Sequence, residues 1–115
     1  MRLRSALAVI GAIALGAQAQ APAGDAVRGK ALFMKNMCYT CHGTAGQGGD
    51  RGSGPRIAYD VWPWESFLQQ VRHPRESMPR YDAKYLGDAE LADIYAYVSS
   101  MKRGAKASDI PLLRE

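Results

Sequence analysis

The two cysteines of this 115-residue chain lie three positions apart, at Cys38 and Cys41, and His42 follows them directly. Residues i and i+3 of a helical turn point to the same side, so both thiols can reach one flat group. His42 then lies against the centre of that group and can offer a neutral imidazole nitrogen to a metal. C-x-x-C-H is the attachment pattern of c-type haem. The spacing therefore predicts one covalently bound haem c around which the chain folds.

The same thiols allow three alternatives. A structural zinc site needs two further Cys or His ligands, and only His73 remains in the chain. A thioredoxin-like redox pair needs a βαβ setting, and no strand pattern precedes Cys38. A disulfide is chemically possible in an oxidising compartment, but it gives His42 no role. Haem attachment is the interpretation that uses all three residues.

Hydrophobic spacing predicts three helices and no strand in the rest of the chain. The predicted helices are 26–37 after an Asp25 N-cap, 64–71 between Pro63 and Pro74, and 90–101 after Gly87 or Asp88. Six of the twelve residues from Gly43 to Gly54 are glycine, which predicts a loop. Three short helices and a loop bury little apolar surface, so the haem is expected to complete the core. The predicted fold class is all-α, with three to four short helices wrapped around the haem and a long Gly-rich loop.

A haem iron with six ligands needs a second axial ligand on the face opposite His42. The remaining methionines and histidine are Met34, Met37, Met78, Met101 and His73. The first two precede Cys38 too closely to wrap around the ring. The last methionine falls at the end of a predicted helix, where packing is its expected role.

Met78 lies 36 residues after His42, in a polar loop that Pro79 makes more rigid. It is the predicted axial ligand, and His73 is the alternative. A thioether is a soft, neutral ligand that favours ferrous iron, so His/Met ligation raises the reduction potential. Ligands on both faces leave no open position for oxygen or peroxide. This predicts transfer of single electrons, and no catalytic residue is expected.

The N-terminal segment has the composition of an export signal. Two arginines precede an apolar run (residues 6–17), and Ala17-Gln18-Ala19 forms a small-x-small cleavage site. Twelve helical residues span only about 18 Å, short of the ~30 Å hydrocarbon core. We therefore predict a cleaved signal peptide (1–19), with a cut after Ala21 as the alternative, and a soluble periplasmic protein without a membrane span.

Cleavage changes what the charge implies. Removal of the two leading arginines lowers the basic count from 15 to 13 against 11 acidic residues, and the net charge from +4 to +2. A strongly basic, nucleic-acid-binding protein is therefore not expected.

These residues resemble the class I cytochromes c, small soluble electron carriers with a His/Met-ligated haem, from about Gly24 to Gly104. The resemblance rests on Cys38-x-x-Cys41-His42, on Met78-Pro79, and on Gly29-x-x-x-Phe33 paired with Ile94-x-x-Tyr97. It implies the cytochrome c fold, in which the first and last helices cross at right angles with the glycine at their contact.

The residue patterns divide the chain after the signal into a flexible start (20–24), the cytochrome c domain (25–104) and a C-terminal tail (105–115). The resemblance adds a supporting contact. Within the domain, the carbonyl of Pro55 is expected to accept a hydrogen bond from the second ring nitrogen of His42 and so orient the ligand.

The implied function is that of a periplasmic one-electron carrier between a dehydrogenase or quinol-oxidising complex and a terminal acceptor. One alternative is the dedicated cytochrome c subunit of an exported flavin- or quinone-dependent dehydrogenase. Another is a haem peroxidase with an open coordination position, which would require that Met78 does not bind. The expected partners are redox proteins, namely a dehydrogenase, a cytochrome complex or an oxidase.

Two further sets of residues are candidates for surface roles. Those that could hold the haem propionates, in no order of preference, are Arg56, Tyr59, Trp62 and Trp64. A basic rim around Met78, which would meet an acidic partner, is hypothesised from Arg72, Arg75, Arg80 and Lys84. A solvated loop with paired charges is the alternative interpretation of that rim.

Overall fold

Four α-helices make up the fold in a computed structural model that describes residues 20–49 and 53–113. They are α1 (Ala26–Lys35), α2 (Tyr39–His42), α3 (Trp64–Arg72) and α4 (Asp88–Ser100). Two short 3₁₀ turns, Ala107–Asp109 and Pro111–Leu113, follow them. The described residues contain no strand, so the all-α prediction is confirmed. The predicted signal peptide (1–19) lies outside the described residues.

The helix bounds differ from the predicted ones where local capping competes with hydrophobic spacing. α1 ends at Lys35 because the Asn36 amide group donates back to the carbonyl of Leu32 at 2.9 Å, and Met37 adopts a left-handed φ of 62°. α4 begins two residues earlier than predicted. There the carboxylate of Glu90 accepts a hydrogen bond from the backbone N–H of Gly87 at 2.9 Å.

α1 packs against α4 through a close backbone approach. A Cβ added at Gly29 would overlap the carbonyl oxygen of Asp93, so only glycine fits here. One turn later, the ring of Phe33 meets that of Tyr97 edge-on at 5.5 Å between centroids. The glycine–aromatic pairing taken from the resemblance is thus present at the α1–α4 contact.

An ion pair between the exposed Arg28 and the buried Asp93 ties the start of α1 to the middle of α4. Asp93 is 6% exposed. Its carboxylate accepts from Arg28 Nε at 2.9 Å, from Arg28 Nη2 at 3.0 Å and from the backbone N–H of Asp25 at 2.6 Å. These hydrogen bonds to Arg28 and Asp25 lower the pKa of Asp93, and the same pairing raises that of Arg28. Asp25 also caps α1 as predicted, accepting from the N–H groups of Val27 and Arg28.

The apolar core is small and centres on α4. Its buried members include Phe33, Trp64, Leu91 and Val98, together with Leu86 from the segment before α4. The tail beyond α4 adds little, since Leu112 is 95% exposed. Within the described ranges, no helix is both long enough and apolar enough to cross a membrane.

Candidate haem-attachment site

The C-x-x-C-H motif lies on a single helical turn. α2 contains Cys41 and His42, and Cys38 precedes it with helical backbone angles (φ −57°, ψ −35°). The N–H of His42 donates to the carbonyl of Cys38 at 3.0 Å. Both cysteines and the histidine line one cavity. The turn therefore brings the three predicted residues together around a common space.

That cavity has a volume of about 570 Å³, within the ~300–1,000 Å³ usual for cofactor sites. Its walls are mainly aliphatic and aromatic. They include Phe33, Phe67, Val71, Leu86, Leu91, Ile94 and Val98. The apolar stripes of α1, α3 and α4 thus face a ligand-sized space rather than only one another. Two thiols, an imidazole and a thioether around such a space fit a covalently attached haem.

A hydrogen bond fixes the ring of His42. Its Nδ1 lies 2.8 Å from the carbonyl oxygen of Pro55. Because a carbonyl only accepts, Nδ1 carries the proton and the lone pair of Nε2 is free to bind a metal. The contact that the resemblance implies is therefore present, while the role of Pro55 in orienting an iron ligand stays a prediction.

The Gly-rich loop packs directly on the attachment turn. The N–H of Gly48 donates to the carbonyl of His42 at 2.9 Å, and that of Gly49 donates to Gly54 at 3.1 Å. A Cβ on Gly54 would overlap the carbonyl oxygen of Cys41. The loop is rich in glycine here because its backbone must approach the backbone of α2, which brings Pro55 within reach of His42.

The candidates for the second axial ligand differ in whether they line the cavity. Met78 lines the cavity, whereas His73 is exposed at the end of α3 and is not among the lining residues. Met37 also lines the cavity, but it is 53% exposed and lies beside Cys38. Met34 and Met101 do not line it. Iron ligation by Met78 stays a prediction.

The alternatives to haem lack their structural requirements in the described part of the chain. No group of three or more His, Cys, Asp and Glu side chains could hold a metal ion there, so the zinc alternative lacks a complete set of ligands. A thioredoxin-like pair lacks its sheet, since neither described range contains a strand.

Comparison with known proteins agrees with this geometry. The family model described as cytochrome C oxidase, cbb3-type, subunit III matches residues 24–98, a range that contains the attachment turn and Met78. The chain belongs to this family of c-type cytochrome domains. Membership confirms the cytochrome c fold, a covalently bound haem c and an electron-transfer role. The class I assignment and the number of haems stay predictions.

Two curated relatives are similar to this cytochrome domain. The cytochrome bc1 complex cytochrome c subunit of Corynebacterium diphtheriae is 33% identical over 79 residues, which is 68% of this chain. The thiosulfate dehydrogenase of Stutzerimonas stutzeri is 30% identical over 87 residues, covering 69% of this chain. In both cases the match spans only 28% of the relative's own length. No solved structure matches the chain significantly.

The sequence patterns missed a polar pair beside Met78. The cytochrome's Gln70 is half-buried on α3, and its Nε2 lies 3.6 Å from Sδ of Met78. Its Oε1 accepts from Nε of Arg75 at 3.2 Å. The sequence did offer one indication of this pair. Gln70 is a polar residue one turn after Phe67, on the face of α3 that also carries apolar side chains.

A second missed contact lies beside the first cysteine. The hydroxyl of Tyr81 donates to the carbonyl of Asn36 at 2.8 Å and so connects the loop after Met78 to the end of α1. Burial raises the pKa of the Cys38 thiol to about 11. Burial, with the neighbouring cysteines, also raises the pKa of Tyr81. No sequence motif predicts the contact of Tyr81 with the end of α1, because it joins residues far apart in the chain.

The surface candidates divide according to whether they reach the cavity. Arg56 and Trp62 line it, whereas Tyr59 and Trp64 do not. The side chain of Arg72 is only 12% exposed and bonds Asp88 at 2.5 Å and the Tyr81 carbonyl at 2.9 Å. The hypothesised basic rim therefore loses Arg72, which joins α3 to the start of α4.

Proposed function

We propose that this cytochrome is a periplasmic one-electron carrier, with haem attached through Cys38 and Cys41 and iron held between His42 and Met78. The observation that carries the proposal is the cavity these four residues share, with an apolar wall behind them. The donors and acceptors we propose are redox proteins, namely a dehydrogenase or quinol-oxidising complex on one side and a terminal acceptor on the other.

The chain's own residues set the conditions for electron transfer. Pro55 holds His42 in the tautomer whose Nε2 can bind iron. The thioether of Met78 favours the ferrous state and raises the reduction potential. The apolar cavity wall excludes water, which also disfavours the extra charge of the oxidised state. When bound, the haem supplies the reversible one-electron couple.

A dedicated subunit of a larger oxidoreductase is the second candidate. It is supported by the relatives, which are by name a subunit of a bc1 complex and a thiosulfate dehydrogenase. The match spans 28% of each relative, so in those proteins the matching segment is one part of a longer chain. Co-purification with a larger protein at a fixed ratio would favour this candidate over a diffusing carrier.

Replacement of Met78 tests the ligand assignment. We expect Met78→Ala to remove the charge-transfer band of methionine-ligated ferric haem. The reduction potential should also fall, within the roughly 0.8 V range that axial ligands command. The measurements are an optical spectrum of the oxidised holoprotein and a potentiometric titration. The purified protein should also carry the added mass of one haem on a chain that begins after Ala19 or Ala21.

Met37→Ala is the matched control, because Met37 is the other methionine that lines the cavity. It should leave both the band and the potential unchanged. If Met78→Ala kept the band, another methionine would be the ligand and the assignment of Met78 would be wrong. A wild-type ferric spectrum without the band would instead support the peroxidase alternative.

A further inference from the structure

Three residues form a connected row that ends on the predicted iron ligand. The guanidinium carbon of Arg75 lies 5.5 Å from the centre of the Trp62 ring. Nε of Arg75 donates to Oε1 of Gln70 at 3.2 Å, and Nε2 of Gln70 lies 3.6 Å from Sδ of Met78. All four side chains line the same cavity.

Arg75 decides which end of the Gln70 amide faces the sulfur. A glutamine side chain can present either its oxygen or its NH₂ group to a neighbour. A guanidinium can only donate, so its bond to Gln70 requires the amide oxygen on that side. The NH₂ group is then turned towards Met78. There it can donate to the thioether, a weak acceptor.

The aromatic ring of Trp62 restrains Arg75 in turn. A guanidinium within about 6 Å of a Trp ring centre is attracted to the face of that ring. Arg75 is exposed, and an exposed arginine without such a partner samples many rotamers. Contact with the ring reduces that freedom, so the amide orientation of Gln70 does not depend on one hydrogen bond alone.

We propose that Trp62, Arg75 and Gln70 are positioning residues for Met78: they hold an amide donor on one sulfur lone pair and leave the other for iron. This inference rests on the proposed function, because it presumes that Met78 is the ligand. The donor withdraws electron density from the sulfur, which disfavours ferric iron and raises the reduction potential. It also restrains the thioether against displacement by competing ligands.

The test measures ligand exchange and potential in the holoprotein. Gln70→Leu keeps the bulk of the side chain and removes the donor. We expect added imidazole to bind the ferric iron of this variant roughly three- to tenfold more tightly than wild type, the equivalent of one net hydrogen bond. The reduction potential should fall. Arg75→Met should shift both quantities in the same direction but less, and Arg75→Lys, which keeps a donor, should restore part of the shift.

Gln69→Leu is the matched control, because Gln69 is the exposed neighbour of Gln70 on α3. A combined Gln70→Leu/Arg75→Met variant should show no further loss, since both residues act through one contact. If both Gln70→Leu and Arg75→Met had the imidazole affinity and the reduction potential of the wild type, the proposed network would be wrong.

Failure of the network and failure of the proposed function are distinguishable. If Met78→Ala alters the spectrum while Gln70→Leu and Arg75→Met do not alter imidazole affinity, only the network is wrong. If Met78→Ala leaves the spectrum intact, the ligand assignment itself falls. Circular dichroism of each variant verifies that the helical content is retained. If Gln70→Leu folds poorly, the imidazole affinity and the potential of Arg75→Met test the network instead.

Discussion

At the scale of single residues, the site depends on a glycine without a side chain as well as on the residues that carry the chemistry. Cys38, Cys41 and His42 carry the chemistry, but they come together with Pro55 only because Gly54 has no side chain. The motif could be found by its spacing alone. The bond between Pro55 and His42 was available only through family resemblance, because a Gly-Pro turn has many other uses.

Gly54→Ala should therefore weaken the site without touching a ligand. The added methyl group would overlap the carbonyl oxygen of Cys41, and we expect a loss of about 1–3 kcal/mol in the free energy of unfolding, as for other overpacked positions. Denaturant unfolding of the holoprotein measures this loss.

Gly104→Ala serves as the control, since a Cβ at Gly104 meets nothing within 4 Å. It should be neutral or stabilise by up to about 1 kcal/mol, because it restricts the unfolded chain. Equal effects of the two substitutions would mean that the loop does not press on the attachment turn.

At the scale of elements, the helices were largely predictable and their connections were not. Hydrophobic spacing located α1, α3 and α4 to within two residues, because each has one apolar face. It missed α2, since a four-residue turn is too short to show a period. It also assigned no role to Asp93, whose partners Arg28 and Asp25 are more than 60 residues away in the chain.

The link between α1 and α4 should be sensitive to acid. Because the pKa of Asp93 is lowered in the folded protein, its stabilising effect is complete above the unfolded value of about 3.9 and is lost as the pH falls through the folded pKa. Wild type should therefore have a higher Tm than Asp93→Asn at neutral pH, and the difference should shrink below about pH 4.

Thermal unfolding followed by circular dichroism from neutral pH downward measures this difference. Asp109→Asn, in the exposed tail, should leave the Tm unchanged throughout. A constant gap between wild type and Asp93→Asn at every pH would show that the carboxylate charge contributes nothing.

At the scale of the whole molecule, the core is unfinished without its cofactor. The cavity of about 570 Å³ is lined mainly by apolar side chains. A cofactor that covers this surface removes it from water, which stabilises the folded state. The sequence predicted that the helices alone bury too little apolar surface. Only the structure identifies which side chains surround the cavity.

A chain that cannot attach haem should consequently fail to fold. We expect Cys38→Ala/Cys41→Ala to lose most of its helical circular dichroism, with Thr40→Ala, inside the same motif, retaining it. A double variant with the helical content and cooperative melting of the wild type would contradict the view that the cofactor completes the core.

The packing of residues 24 and 25 against α4 leaves little chain between the domain and the predicted export signal. Gly24 lies against the carbonyl of Ala92, and the N–H of Asp25 is bonded to Asp93 at 2.6 Å. Only residues 20–24 separate this anchored point from the predicted cleavage site, and five extended residues reach at most about 18 Å. If the predicted signal anchors the chain in a bilayer before the cut, a tether of this length keeps the folded domain close to the bilayer surface.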